Sequence, residues 1–139
     1  MSKILVDTNV LVYAIDTDSI YFKKARQIIY EIDWELFTTS KNLSEFLSVV
    51  TRHPSNSLSI IEAVNLVEDF LALFSVLYPS SHSCSFLLDL LKKYQPVGLQ
   101  VHDFEIASIG LASGINQIAT FNHKDFKAIE EIQIAPNFP

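Results

Sequence analysis

Asp7, Glu45 and Asp103 are carboxylates that each sit beside a stretch reading as a strand end or the start of a helix, and Asn122 with Asp125 follows in the same kind of position. Hard oxygen donors brought to one edge of a sheet suit Mg²⁺ or Mn²⁺, which take carboxylates, several waters and then the oxygens of a phosphate. Clustered carboxylates repel, and ionising them together is costly, so such a group is poorly explained as a stability device. A cation relieves the repulsion and supplies charge where a phosphodiester is attacked in line. Each acid also has a plainer use. Asp7 or Thr8 could start a helix over the following apolar residues, Asp103 could cap its helix, and Glu45 could pair with Lys41 or Ser48. Asp125, just before Phe126, reads first as a cap for the last helix.

The elements that must position these groups follow from hydrophobic patterning. Ile4-Leu5-Val6 is a short continuous apolar run that ends in Asp7-Thr8-Asn9, the pattern of a strand buried on both faces with its carboxyl end at a cleft. A short helical segment over Val10–Ile15, a turn at Asp16–Ser19 and a helix from about Ser19 to Ile32 follow, the last with Lys23, Lys24 and Arg26 on a solvated face. Glu35–Thr39 reads as a second strand, with Ser40 capping a helix over Lys41–His53. Leu43, Phe46, Leu47 and Val50 form its apolar face, and Glu45 projects elsewhere, near Asn42, Val49 and Arg52. Arg52 shares Glu45's side and is placed for a phosphate or for a surface ion pair.

His53–Asn56 reads as a loop, and Ser59–Leu73 as an amphipathic helix with Ile60, Ala63, Val64, Val67, Phe70 and Leu71 on its buried side, continued by Phe74. Ser75–Tyr78 is a third strand, and a helix from Ser83 carries the stripe Phe86, Leu87, Leu90, Leu91 and Tyr94. Gln95–His102 is a loop before the helical run Phe104–Ser113, which Gly114 ends. Gln117–Thr120 is a fourth strand, a polar loop enters a short helix near Phe126, and Ile132–Ile134 is a last strand before a tail. Strands alternating with helices at short spacing predict an α/β sandwich with a parallel central sheet.

The chain has 139 residues, 49% of them hydrophobic, which is enough for one domain with a real core and too few for two. The single cysteine, Cys84, excludes an intrachain disulfide and a cysteine-cluster zinc site; it reads as a core or half-buried residue. Asp7, Asn9 and Asp16 interrupt the apolar start, which argues against a signal peptide, and no stretch is long enough to span a membrane. The expectation is a soluble cytoplasmic protein. A net charge of −6 argues against broad electrostatic binding to nucleic acid but leaves room for an enzyme that reaches phosphates through a metal.

The run Ile4-Leu5-Val6-Asp7-Thr8-Asn9-Val10-Leu11-Val12-Tyr13-Ala14 resembles the opening motif of PIN-domain ribonucleases. The resemblance continues in order through Leu43-Ser44-Glu45-Phe46, Val101-His102-Asp103, Ile106-Ala107 and Ala119 to Phe126, and so spans the whole chain as a single domain, residues 1–139. The size is similar to that of VapC-type toxins of toxin–antitoxin pairs. This resemblance implies a Rossmann-like three-layer α/β/α sandwich, an endoribonuclease dependent on Mg²⁺ or Mn²⁺, an RNA substrate, a cognate antitoxin and a homodimer. By position, Asp7, Glu45 and Asp103 match the acids of the family's metal site, and Thr8 and Asn9 match the polar pair that orients the first acid and the substrate or water. Many relatives have Asp where this chain has Asn122, so one metal is expected firmly, with Asn122 and Asp125 as further candidate ligands for a second. His102 and His123 are left out, because metal-activated water needs no histidine base. Two other readings remain open here: a PIN fold with a weakened site that binds RNA or a protein, and a haloacid-dehalogenase-like phosphohydrolase. The second normally needs an Asp where Asn9 stands.

Overall fold

A computed structural model describes residues 2–52 and 57–136. Its strands are β1 (Lys3–Val6), β2 (Glu35–Thr39), β3 (Ser75–Leu77), β4 (Gln117–Ala119) and β5 (Gln133–Ile134). They form one sheet in the order β3-β2-β1-β4-β5, and every neighbouring pair is parallel. Leu5 pairs with Phe37 on one side and with Ile118 on the other, which places β1 at the centre. Chain order reverses between β1 and β4, and at such a switch point the strand ends part to leave a crevice.

The helices are α1 (Thr8–Tyr13), α2 (Phe22–Arg26), α3 (Ser40–Thr51), α4 (Ile60–Leu71), α5 (Ser81–Tyr94), α6 (Gln100–Ala112) and α7 (His123–Phe126). Period-two alternation in the strands sorts them into layers. Ile4 and Val6 face a core built with Val10, Leu11, Ile28, Phe46 and Phe70 from α1 to α4, whereas Leu5 and Ile118 face a second core with Leu90, Phe104, Ala107 and Phe126 from α5 to α7. The result is the expected α/β/α sandwich around a parallel sheet.

Several element boundaries differ from the sequence reading. The helix expected over Ser19–Ile32 is one α-helical turn and a half that passes into a π-helical stretch at Gln27–Glu31. Thr39 rather than Ser40 caps α3, because its hydroxyl accepts from the backbone N–H of Asn42. Helix α6 starts at Gln100, three residues before Asp103, so Asp103 lies inside the first turn. Its apolar residues surround the helix, with Phe104 and Ile106 to Gly110 all buried, and it packs between the sheet and α5. On α4 only Ala63 and Phe70 are buried, while Ile60, Val64 and Leu71 face solvent; the apolar stripe is wider than the sheet can cover. Cys84 is exposed, because the phase of α5 turns Ser83 inward and the next residue out. The expected loop at His53–Asn56 and most of the tail lie outside the described residues. Among the described residues no helix is long and apolar enough to cross a membrane.

Candidate active site

Asp7 leaves β1 at the centre of the sheet and at once caps α1. Its extended backbone lets Oδ1 accept from the N–H of Thr8 at 2.9 Å, so capping and projection into the crevice are a single arrangement. The carboxylate is nearly buried and takes three further donors. Asn42 Nδ2 donates to Oδ1 at 3.2 Å, Thr120 Oγ1 donates to Oδ2 at 2.8 Å, and Asn9 Nδ2 donates to Oδ2 at 3.3 Å. The side chain of Asn9 also ties β4 to α1: Nδ2 donates to Thr120 Oγ1 at 3.1 Å, and Oδ1 accepts from the backbone N–H of Phe121 at 3.0 Å.

A pocket opens beside Asp7. Asp7, Thr8 and Asn9 line it together with Tyr13 of α1, Glu45 and Val49 of α3, Asp103 of α6 and Asn122 after β4. Segments separated by most of the chain thus meet at the carboxyl ends of β1 and β4. Glu45 projects from the exposed side of α3, and its suggested partner Lys41 is engaged elsewhere, with its Nζ 3.1 Å from Glu105. Asp103 caps nothing: the residue preceding α6 is Leu99, and α6 has no side-chain cap. Asp125 does not cap α7 either, since it lies within the helix and Asn122 precedes it. Arg52 ends α3, exposed, and does not line the pocket.

The acids sense one another. Burial pushes Asp7 up to about 6, with hydrogen bonds from Thr120 and Thr8 pulling the other way and the charges of Glu45 and Asp125 adding to the rise. Burial also raises Asp103, to about 7, reinforced by the charges of Asp125, Asp7 and Glu45. Asp125 therefore belongs to the same electrostatic cluster although it does not line the pocket.

The donor set fits a hard divalent cation. The pocket offers carboxylates and an amide oxygen, and the acids' charges disfavour one another's ionisation, a cost that a bound cation relieves. Among the described residues no three acidic, histidine or cysteine side chains are already gathered closely enough to surround an ion. Mg²⁺ binds through one or two carboxylates and keeps several waters, which asks for fewer protein ligands than a closed cage. Asp7 has a lone pair to offer at little cost, because its longest bond, from Asn9, is shared with Thr120.

Three residues at this site were not singled out from the sequence. From the sequence Asn42 reads only as a neighbour of Glu45, yet it is fully buried and bonds Asp7, Thr8 and Thr39. Thr120 and Tyr13 lie within the runs Ala119–Phe126 and Ile4–Ala14, but only the fold brings Thr120 to Asp7 and Tyr13 to the pocket wall. A Thr-x-x-Asn spacing at a helix start, here Thr39 and Asn42, was the available signal for the first of these.

A model of the PIN domain family matches residues 4–132. None of the curated proteins matches the chain. Solved structures that resemble it include DNA-bound VapBC from Salmonella typhimurium, at 22% identity and TM-score 0.69, covering 97% of this chain and 98% of that one. VapBC2 from Rickettsia felis, bound to a promoter DNA fragment, is 19% identical with TM-score 0.70 over 96% of this chain and 97% of that one. Mycobacterium tuberculosis VapC20, described as a toxin that cleaves the sarcin-ricin loop, is 14% identical with TM-score 0.71 over 91% of this chain and 95% of that one. At these identities the likeness is one of fold.

Proposed function

The chain belongs to the PIN domain family, and from that premise we propose that it is a metal-dependent endoribonuclease that hydrolyses RNA phosphodiester bonds as the toxin of a toxin–antitoxin pair. The observation that carries this reading is the convergence of Asp7, Glu45, Asp103 and Asn122 on one pocket at the switch point of the sheet. Similarity of fold to VapC and VapBC structures supports the toxin assignment. Residues 1–139 act as one domain.

Asp7, Glu45 and Asp103 would hold Mg²⁺ or Mn²⁺, with Asn122 and Asp125 available to a second ion. When bound, the cation supplies positive charge against the phosphate and acidifies water for in-line attack. Asn42, Thr120 and Asn9 fix the Asp7 carboxylate, so that little reorganisation is needed when substrate arrives. Thr8 is held by Asn42, whose Nδ2 donates to its hydroxyl at 2.9 Å. Arg52, exposed at the end of α3 and outside the pocket lining, is left to contact RNA beyond the pocket.

A small antitoxin and a second copy of the chain are the expected partners, acting in the cytoplasm. The exposed apolar residues of α4, with Ile60 at 56% and Ile61 at 69% exposure, offer surface for such contacts. A second reading, a PIN fold with weakened chemistry that binds RNA or protein, draws on Asn122, which supplies an amide where a fourth carboxylate would add charge.

The test is incubation of total RNA with purified protein in Mg²⁺ or Mn²⁺ and in EDTA. Discrete metal-dependent cuts are expected, with 5′-phosphate and 3′-hydroxyl ends. No cleavage by folded, antitoxin-free protein would overturn the nuclease and favour the binding module.

A further inference from the structure

Beside the acidic pocket stands a group of three aromatic rings. Tyr13 and Tyr21 lie with centroids 5.0 Å apart, Tyr21 and Phe121 at 4.7 Å, and Tyr13 and Phe121 at 5.5 Å. They come from α1, the turn before α2, and the loop after β4. We propose that Tyr13, Tyr21 and Phe121 form a stacking wall for an unpaired nucleobase next to the scissile phosphate of RNA, with Tyr21 as the positioning residue. This rests on the nuclease reading and adds to it a base subsite.

The rings are built into the site. Tyr13 lines the same pocket as the acids. The backbone N–H of Phe121 is held by the Asn9 side chain, which also donates to Asp7, and the next residue is Asn122 of the pocket. Phe121 is therefore tied to the carboxylate through Asn9.

Core packing accounts for only part of the group. Tyr13 and Phe121 pack against the core, but Tyr21 stands outermost at 37% exposure, beside Ile20 at 87%. A partly exposed aromatic ring braced by two other rings is a rigid apolar platform, and every base offers a π-face to such a platform.

Charge makes such a contact useful. The chain carries −6, so its net charge opposes a polyanion and affinity has to come from local contacts. Lys23 and Lys24 follow Tyr21 on α2, and Lys124 follows Phe121 on α7; all three are exposed and take no part in the ion pairs among the described residues. Stacked base and flanking cations together would seat the backbone against the acids. A base inside a duplex is already stacked and hydrogen-bonded, so the wall selects an unpaired nucleotide.

The experiment measures binding rather than cleavage, in the Asp7→Asn background that leaves RNA intact. Fluorescence anisotropy is followed with a single-stranded RNA of mixed sequence and with a strand of equal length whose nucleotides are all abasic. Tyr21→Ala is expected to weaken binding to the normal strand about 10-fold. Tyr21→Phe, which keeps the ring, is expected to return it to within about twofold, and the abasic strand should not distinguish the three proteins. Independently of any ring deletion, RNA carrying 2-aminopurine should lose fluorescence on binding the protein with its rings intact. Unchanged affinity in Tyr21→Ala overturns the proposal and leaves the rings to a protein partner. So does a loss that persists on the abasic strand, or an absence of RNA binding altogether. Base-dependent binding without any cleavage by the wild-type protein would keep the subsite and remove the nuclease.

Discussion

Asn42, fully buried on α3, donates from Nδ2 to Oδ1 of Asp7 at 3.2 Å, across a chain separation of 35 residues. The same side chain accepts from the Thr39 hydroxyl at 2.6 Å, and its Nδ2 also donates to Thr8. One amide thus locks the end of β1 to the start of the helix that carries Glu45.

Replacing Asn42 with Ala removes these bonds and leaves the buried Thr39 and Thr8 hydroxyls short of partners. The expected cost is ~2–4 kcal/mol, more than an isolated hydrogen bond because the desolvated groups left behind contribute. Urea unfolding checks this. Asn42→Asp, nearly isosteric, should be at least as damaging near neutral pH, since it sets a second carboxylate against Asp7.

Asp7→Asn keeps the shape of the side chain and removes its charge. Cleavage should vanish while the metal-free protein still folds cooperatively: neutralising a buried, crowded carboxylate stabilises it, and turning one accepting oxygen into an NH₂ that faces donors offsets that gain. Full activity in this variant would sink the assignment of Asp7 as a metal-holding residue.

The acids also set the pH dependence of stability. Asp7 rises from an ordinary value of 3.8 to about 6, and Asp103 to about 7, so the folded protein retains protons that the unfolded chain releases. Stability from these groups is complete below the ordinary carboxylate value and is lost as pH climbs through 6 to 7. For the buried Asp7 this amounts to about 3 kcal/mol. The clean measurement is the stability of Asp7→Asn relative to wild type without metal, which should shift in favour of the variant from acid toward pH 8. Divalent cations bind the ionised acids, so the rise in melting temperature at millimolar Mn²⁺ should also be larger at pH 8 than at pH 5.

Asn122→Asp would add a carboxylate to the pocket wall. Half-saturation by Mn²⁺, read from thermal shift or calorimetry, should fall by about 10-fold, the scale of one added ligand or its close support. The metal-free variant should be less stable than the parent at pH 8, because it gains one more like charge.

The alternation of apolar strands with amphipathic helices was enough to predict a parallel sheet with helices on both faces, because burial on two sides leaves its mark on consecutive residues such as Ile4, Leu5 and Val6. The line of acids at element junctions was legible for the same local reason. Asp7 follows a strand, and Glu45 lies a turn into the helix that follows one, whatever the strand order. Tertiary structure alone decided which plain uses these acids forgo. Lys41 reaches Glu105 instead of Glu45, and α6 begins early enough that Asp103 caps nothing. It also decided what supports them. Asn42 bonds Asp7 because β2 pairs with β1, and Thr120 and Phe121 reach Asp7 and Asn9 because β4 returns on the other side of β1; no local pattern encodes either pairing. Propensity and periodicity act over one or two helical turns; the hydrogen bond from Thr120 to Asp7 depends on a contact across 113 residues.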